Sequence, residues 1–162
     1  MSRPALPSLR ATVAPAPTGA EWLRPLRDWP QAALRALERE PAIVRIVITQ
    51  VLGSAPREAG ACMLVGKQQF EGTIGGGELE WQALAAARAL LTASIPAALL
   101  QRLVLGAERA QCCGGVVELW MERYTHAERP VLRAAREAAC RGPAVLLSTI
   151  TARGVAHQIV ST

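Results

Sequence analysis

Aromatic residues make up only 4% of the 162-residue chain, too few for a base-stacking platform. The net charge of +5 therefore points to an anionic ligand or an acidic partner surface and not to nucleic acid. Lysine is nearly absent, Lys67 being the one example, so arginine supplies the positive charge. There are four cysteines, Cys62, Cys112, Cys113 and Cys140, and they lack the spacing of a zinc ribbon or a disulfide scaffold. Residues 1–20 have no continuous apolar core of the kind a secretory leader needs. The apolar stretch from Ala83 to Leu100 is broken by Arg88 and Pro96, which excludes a membrane span there. These absences predict a cytoplasmic protein with reduced thiols, bound neither to membrane nor to nucleic acid.

What is present suits a folded domain. The hydrophobic fraction is 51% and the charged fraction 19%, and no internal repeat stands out. Residues 1–20, rich in Pro, Ala and Arg, read as a tail, and residues 21–162 as one domain. Short helices are predicted over Trp22–Asp28 and Gln31–Glu40, the second ended by Pro41. "AIVRIVITQV" (42–51) reads as a buried strand, followed by strands near 61–66 and 69–73. A glycine-rich loop then feeds a helix to residue 91. Further strands are expected at 99–105 and 116–123, then a helix over Glu128–Arg141 stopped by Gly142, and a closing hairpin turning at Arg153-Gly154. The fold class is mixed α+β, a mixed sheet packed with helices. Cys62, Cys140 and Trp81 read as packing residues, and His126 and His157 as structural or surface side chains.

Three loops could carry chemistry. In "GSAPREAG" (53–60), Pro56 stiffens the backbone beside Ser54 and Arg57, and Arg57 presents a planar fork suited to phosphate or carboxylate. In "TIGGGELE" (73–80), Gly75, Gly76 and Gly77 precede a helix and could aim backbone amides at an anion. The same glycines could equally serve close packing at a strand-to-helix corner. The spacing is neither that of a Walker loop nor that of a dinucleotide fingerprint. In "QCCGG" (111–115), Cys112 and Cys113 stand side by side. A bridge between neighbours would close a strained ring, and two adjacent side chains make a poor half of a tetrahedral zinc site. Buried packing and ligation of something carried both remain open from this loop alone.

Taken together and in this order, "GSAPREAGACMLV", "GTIGGGELE" and "QCCGG" resemble the N-terminal domain of the XdhC/CoxI family, the accessory factors of xanthine dehydrogenase and related molybdenum hydroxylases. The resemblance runs from about Ala42 to Val117, with Ala55 a mild departure. It implies a chaperone that holds the molybdopterin form of the molybdenum cofactor as cargo. Such a protein would support sulfuration of the cofactor with sulfur from a cysteine desulfurase, then its insertion into an apo xanthine dehydrogenase-type hydroxylase. Cofactor contacts would fall to Ser54, Arg57, Gly75, Gly76, Gly77, Gln111, Cys112 and Cys113, and to Glu80, which would either orient the glycine loop or meet the pterin. Either cysteine would meet the molybdenum, a soft centre suited to thiolate. Self-association is a further implication. Family members commonly carry a second, Rossmann-like domain, and 21–162 is expected to lack it. Two other readings compete with a chaperone that turns nothing over. One is a thiol or persulfide-transfer enzyme using Cys112 or Cys113, for which no base is arranged in the sequence. The other is a docking module for the hydroxylase.

Overall fold

The computed structural model describes residues 26, 28–93, 97–106, 114–151 and 154–161. The expected tail over 1–20 lies outside them, as does most of the expected helix over Trp22–Asp28.

Asp28 caps the first helix, α1 (Trp29–Ala36), its side chain accepting from the Gln31 amide at 3.2 Å. The helix ends at Ala36 and does not run on to Glu40. The Glu38 amide bonds Arg35 O and the Arg39 amide bonds Ala36 O, so the last turn tightens before Pro41 is reached. Strand β1 (Ala42–Leu52) is rich in β-branched residues and has buried residues on both faces, Ile43 on one and Val44, Ile46 and Ile48 on the other. Such a strand needs cover on both sides, and it takes the middle of a five-stranded sheet. The others are β2 (Cys62–Val65), β3 (Phe70–Gly72), β4 (Ala98–Val104) and β5 (Val116–Thr125), in the order β3-β2-β1-β5-β4. Strands of mixed direction were expected, but every pairing is antiparallel, because the sheet neighbours are joined by turns and returning segments and not by parallel crossovers. The α+β class stands.

Helix α2 (Gly77–Thr92) lays Leu79, Ala83, Ala87 and Leu90 on one face of the sheet, against Val44, Ile46, Met63, Leu119 and Met121. Trp81 falls off that stripe and is 66% exposed, not packed as expected. On the opposite face, Ile43, Leu64 and Tyr124 meet Ala33, Leu34 and Leu37 of the α1 segment and Leu132 of α3 (Arg129–Arg141). Helix α3 buries Leu132, Ala135 and Ala138, and Cys140, expected in the core, lies off that line and is exposed. Its start is prepared by Thr125 and Glu128: the Thr125 hydroxyl accepts from the Ala127 amide, and the Glu128 carboxylate accepts from the Thr125 amide. Strands β6 (Ala144–Thr151) and β7 (Gly154–Ser161) form the separate closing hairpin, packed against α3. Two strands alone are marginal in water, so the hairpin depends on what it touches. Among the described residues no helix is long and apolar enough to cross a membrane.

Candidate functional site

The three loops read from the sequence meet at one end of the sheet. The first leaves β1 after Leu52 and returns to β2. Its neck is closed by the Ile48 amide on Ala61 O at 2.9 Å and the Gly60 amide on Ile48 O at 2.8 Å. Just before the loop the β1–β5 register shifts between Ile48 and Gln50. Thr49, in the shift, donates its hydroxyl to Glu118, with the backbone O at 3.1 Å and Oε1 at 3.0 Å. A bulge at this point re-aims the strand end.

The second loop is organised by Glu80. This carboxylate is only 6% exposed, and one oxygen, Oε2, accepts from Thr73 Oγ1 at 2.6 Å, Ile74 N at 3.1 Å and Gly76 N at 3.1 Å. The Gly75 amide turns to Thr73 Oγ1 at 3.1 Å. A negative side chain thus sits at the N-terminus of α2, where the helix dipole favours it, and takes the donors an external anion would have used. The amides of Gly75 and Gly76 are therefore not the anion cradle that three glycines suggest; the Gly77 amide carries no such side-chain bond among the described residues. The corner-packing reading holds for Gly75. Its φ is +128°, and a Cβ there would come within 2.6 Å of Pro56 Cβ. The glycine loop is pressed onto the first loop beside Arg57, whose Cγ lies 3.5 Å from the same point.

The third loop joins from the other side. A Cβ on Gly115 would stand 2.1 Å from Ser54 O and 2.7 Å from Leu52 O, and one on Gly53 would stand 3.3 Å from Gly115 Cα. Backbone lies directly on backbone, and only glycine permits it. Gly115→Ala should therefore cost about 2 kcal/mol, the range of overpacking where neither side can yield cheaply. Gly114→Ala, with nothing within 4 Å, should be close to neutral. Urea unfolding of the pair checks this, and equal stability of the two variants would contradict the contact.

Ser54 is exposed, Arg57 half-buried, Gly75 and Gly76 half-buried, Gly77 exposed and Glu80 buried. Arg57 makes no ion pair among the described residues. Gln111, Cys112 and Cys113 lie outside the described residues; the chain leaving them enters the corner at Gly114 and Gly115. No group of three or more His, Cys, Asp or Glu side chains is placed to hold a metal ion among the described residues.

Sequence reasoning missed a second polar cluster, on the opposite face of the sheet. Glu122 is fully buried, its Oε1 2.5 Å from His157 Nε2 and its Oε2 accepting from Trp120 Nε1 at 3.0 Å. The Tyr124 ring stacks on His157 with centroids 5.8 Å apart and tilts against Trp29 at 5.7 Å. The Arg45 guanidinium lies 3.9 Å over the Trp29 ring, and Arg45 is the residue directly across from Glu122 in the ladder. Burial, with Glu122 beside it, pushes the Tyr124 hydroxyl well above its usual range. The available signal was the alternation of β5, which puts Trp120, Glu122 and Tyr124 on one face. His126, by contrast, is structural as expected, its Nε2 donating to Leu37 O at 2.7 Å.

Comparison with known proteins adds three findings. The sequence model of the XdhC and CoxI family matches residues 36–103. A solved structure from Bacillus halodurans, described as a xanthine dehydrogenase, superposes with a TM-score of 0.65 at 19% identity, covering 82% of this chain and 42% of that one. The chain thus spans less than half of that protein's length, and at this identity the likeness is one of fold. No curated protein matches the chain. Over residues 36–103, which hold the first two loops, the chain is similar to the XdhC and CoxI family.

Proposed function

We propose that the three-loop corner holds the molybdenum cofactor as cargo, in an accessory role toward a xanthine dehydrogenase-type hydroxylase, with no turnover of its own. The observation that carries this reading is the convergence itself. Gly53 against Gly115 and Pro56 against Gly75 bring Ser54, Arg57, the glycine loop and the chain leaving Cys113 to one end of the sheet. The match to the XdhC and CoxI family model over 36–103 and a structural neighbour described as a xanthine dehydrogenase support the accessory role.

The donor set suits a phosphorylated, sulfur-rich cargo once Glu80 is taken into account. Arg57 and the Ser54 hydroxyl, with the Gly77 amide, take the anionic end. The amides of Gly75 and Gly76 are spent on Thr73 and Glu80. Glu80 is a positioning residue that holds the glycine loop against Pro56. Cys112 or Cys113, next to Gln111, meets the molybdenum, since a thiolate is the soft ligand the chain offers in this region. Held there, the cofactor receives sulfur from a cysteine desulfurase before its transfer to the apo-hydroxylase in the cytoplasm.

The test is anaerobic incubation of the reduced protein with isolated molybdenum cofactor, then gel filtration and quantification of molybdenum and pterin. The wild-type chain should retain cofactor stoichiometrically. Arg57→Ala should weaken retention roughly tenfold, the worth of one charge-assisted contact, and Cys112→Ser or Cys113→Ser should abolish it. Full retention by both cysteine variants would remove the molybdenum from the double cysteine. No retention by a folded wild-type chain would reject the cargo reading.

A further inference from the structure

The outer row of α2 runs through Gly77, Trp81, Ala85 and Ala89, spaced to lie one above the other on one face, and all four are exposed. Trp81 is the one large apolar side chain in the row, 66% exposed. Its neighbours a turn away on either side, Gly77 and Ala85, are too small to shield an indole. The other described tryptophans are occupied: the Trp29 ring lies under the Arg45 guanidinium, and the Trp120 N–H donates to Glu122. Trp81 has neither a ring contact nor a hydrogen bond among the described residues. A side chain on an α-helix leans toward the helix N-terminus and covers the turn before its own Cα. The Trp81 indole is therefore directed over the turn begun by Gly77, toward the glycine loop. That turn is bare. Gly76 and Gly77, with φ of +73° and +61°, carry no side chain, and a Cβ on Gly76 would meet nothing within 4 Å.

We infer that Trp81 is the ring-stacking residue of the three-loop corner, taking the fused ring of the cargo on its face while Arg57, Ser54 and the Gly77 amide hold the phosphate. The inference rests on the cargo reading above and adds to it the side chain that recognises the organic ring. The donors at the corner recognise charge and a thiolate recognises the metal, but neither selects a flat heteroaromatic group. An indole does, because its π-face stacks on a fused ring whatever hydrogen bonds that ring makes. The low aromatic content is no obstacle, since a strand of bases needs several stacking side chains and a single ring system needs one. The spacing fits one small molecule: four residues of helix separate Gly77 from Trp81 by a rise of about 6 Å. A protein partner is the poorer occupant. The surface beside Trp81 carries Ala85, Arg88 and Glu78 bonded to Gln82 at 2.7 Å, and not the contiguous apolar patch in which a docking anchor sits.

Titration of the reduced full chain with isolated molybdenum cofactor, under anaerobic conditions, tests the stacking. Trp81→Ala should weaken retention at least roughly tenfold, the worth of one stacked ring. Trp81→Phe keeps a π-face and should stay closer to wild type than to the alanine variant. Position 81 is exposed, so far-UV circular dichroism should be unchanged in both. Fluorescence supplies a second readout. The chain has four tryptophans, and the emission lost in Trp81→Phe isolates the Trp81 signal, which bound cofactor should quench. Equal retention by Trp81→Ala and wild type, or an unquenched Trp81 in the loaded protein, would overturn the inference and leave the cargo reading standing. A loss in Trp81→Phe as deep as in Trp81→Ala would also overturn it, because either ring should stack. No retention by the wild-type chain would reject both readings together.

Discussion

Glu80→Ala is expected to cost roughly 3–5 kcal/mol of folding stability, a large share of what a domain of this size possesses. The carboxylate accepts three hydrogen bonds in a buried place, from the Thr73 hydroxyl and the amides of Ile74 and Gly76. Alanine would leave all three donors without an acceptor, and each unsatisfied buried donor costs about 1–3 kcal/mol. Partial hydration of the half-buried Gly76 amide brings the sum down to the stated range. Glu80→Gln keeps an acceptor oxygen and loses the charge, so it should fall between alanine and wild type. Urea unfolding measures the loss. Hydrogen exchange localises it, because the Ile74 and Gly76 amides should lose protection beyond the global change. A Glu80→Ala protein within about 1 kcal/mol of wild type, with Gly76 still protected, would show that the loop is held by something else.

The second large effect is expected on the other face of the sheet. His157→Ala should destabilise by about 3–5 kcal/mol, because it strands the fully buried Glu122 carboxylate with the Trp120 N–H as its remaining bonded donor. The sign can be separated from a simple packing loss. Adding Glu122→Gln to the His157→Ala protein removes the uncompensated charge, so the double variant should recover part of the lost stability. Thermal unfolding of the wild type, the two single variants and the double variant forms the cycle. Strict additivity would mean that the imidazole contributes by volume alone. The hairpin β6–β7 should loosen selectively in His157→Ala, since this contact and α3 are what hold two otherwise marginal strands.

The elements with strong local signals were legible from composition and period. β1 was plain from its β-branched run, α3 from its stop at Gly142, and the closing hairpin from Arg153-Gly154. The three loops could be identified as candidates one by one, and their pattern carried the family resemblance. Their meeting could not be read, because it depends on the β1–β5 ladder bringing Gly53 beside Gly115, a long-range pairing with no local signature. Glu80 could be read either as orienting the glycine loop or as meeting the pterin, and only the fold shows its carboxylate bonded to the loop's own amides. Cys140 and Trp81 sit in apolar surroundings in the sequence yet fall a fraction of a turn off the buried stripes of α3 and α2. The Glu122–His157 contact joins β5 to a hairpin that belongs to a different sheet, so alternation could place Glu122 on a face but could not name what it would find there.

The pairing that builds the corner also sets when it can exist. Thr49 and Glu118, bonded across the β1–β5 ladder, are 69 residues apart in the chain. Closing so long a loop costs entropy before any contact returns it, which is the topology of slow folding. During synthesis β1 emerges with both faces apolar and waits for β5, and β2 alone cannot cover it. The first two loops are made early, but the surface they form with Gly115 has no meaning until the chain beyond residue 116 has left the ribosome. If the corner holds cargo as proposed, binding competence appears late and at once, as a readout of completed long-range folding.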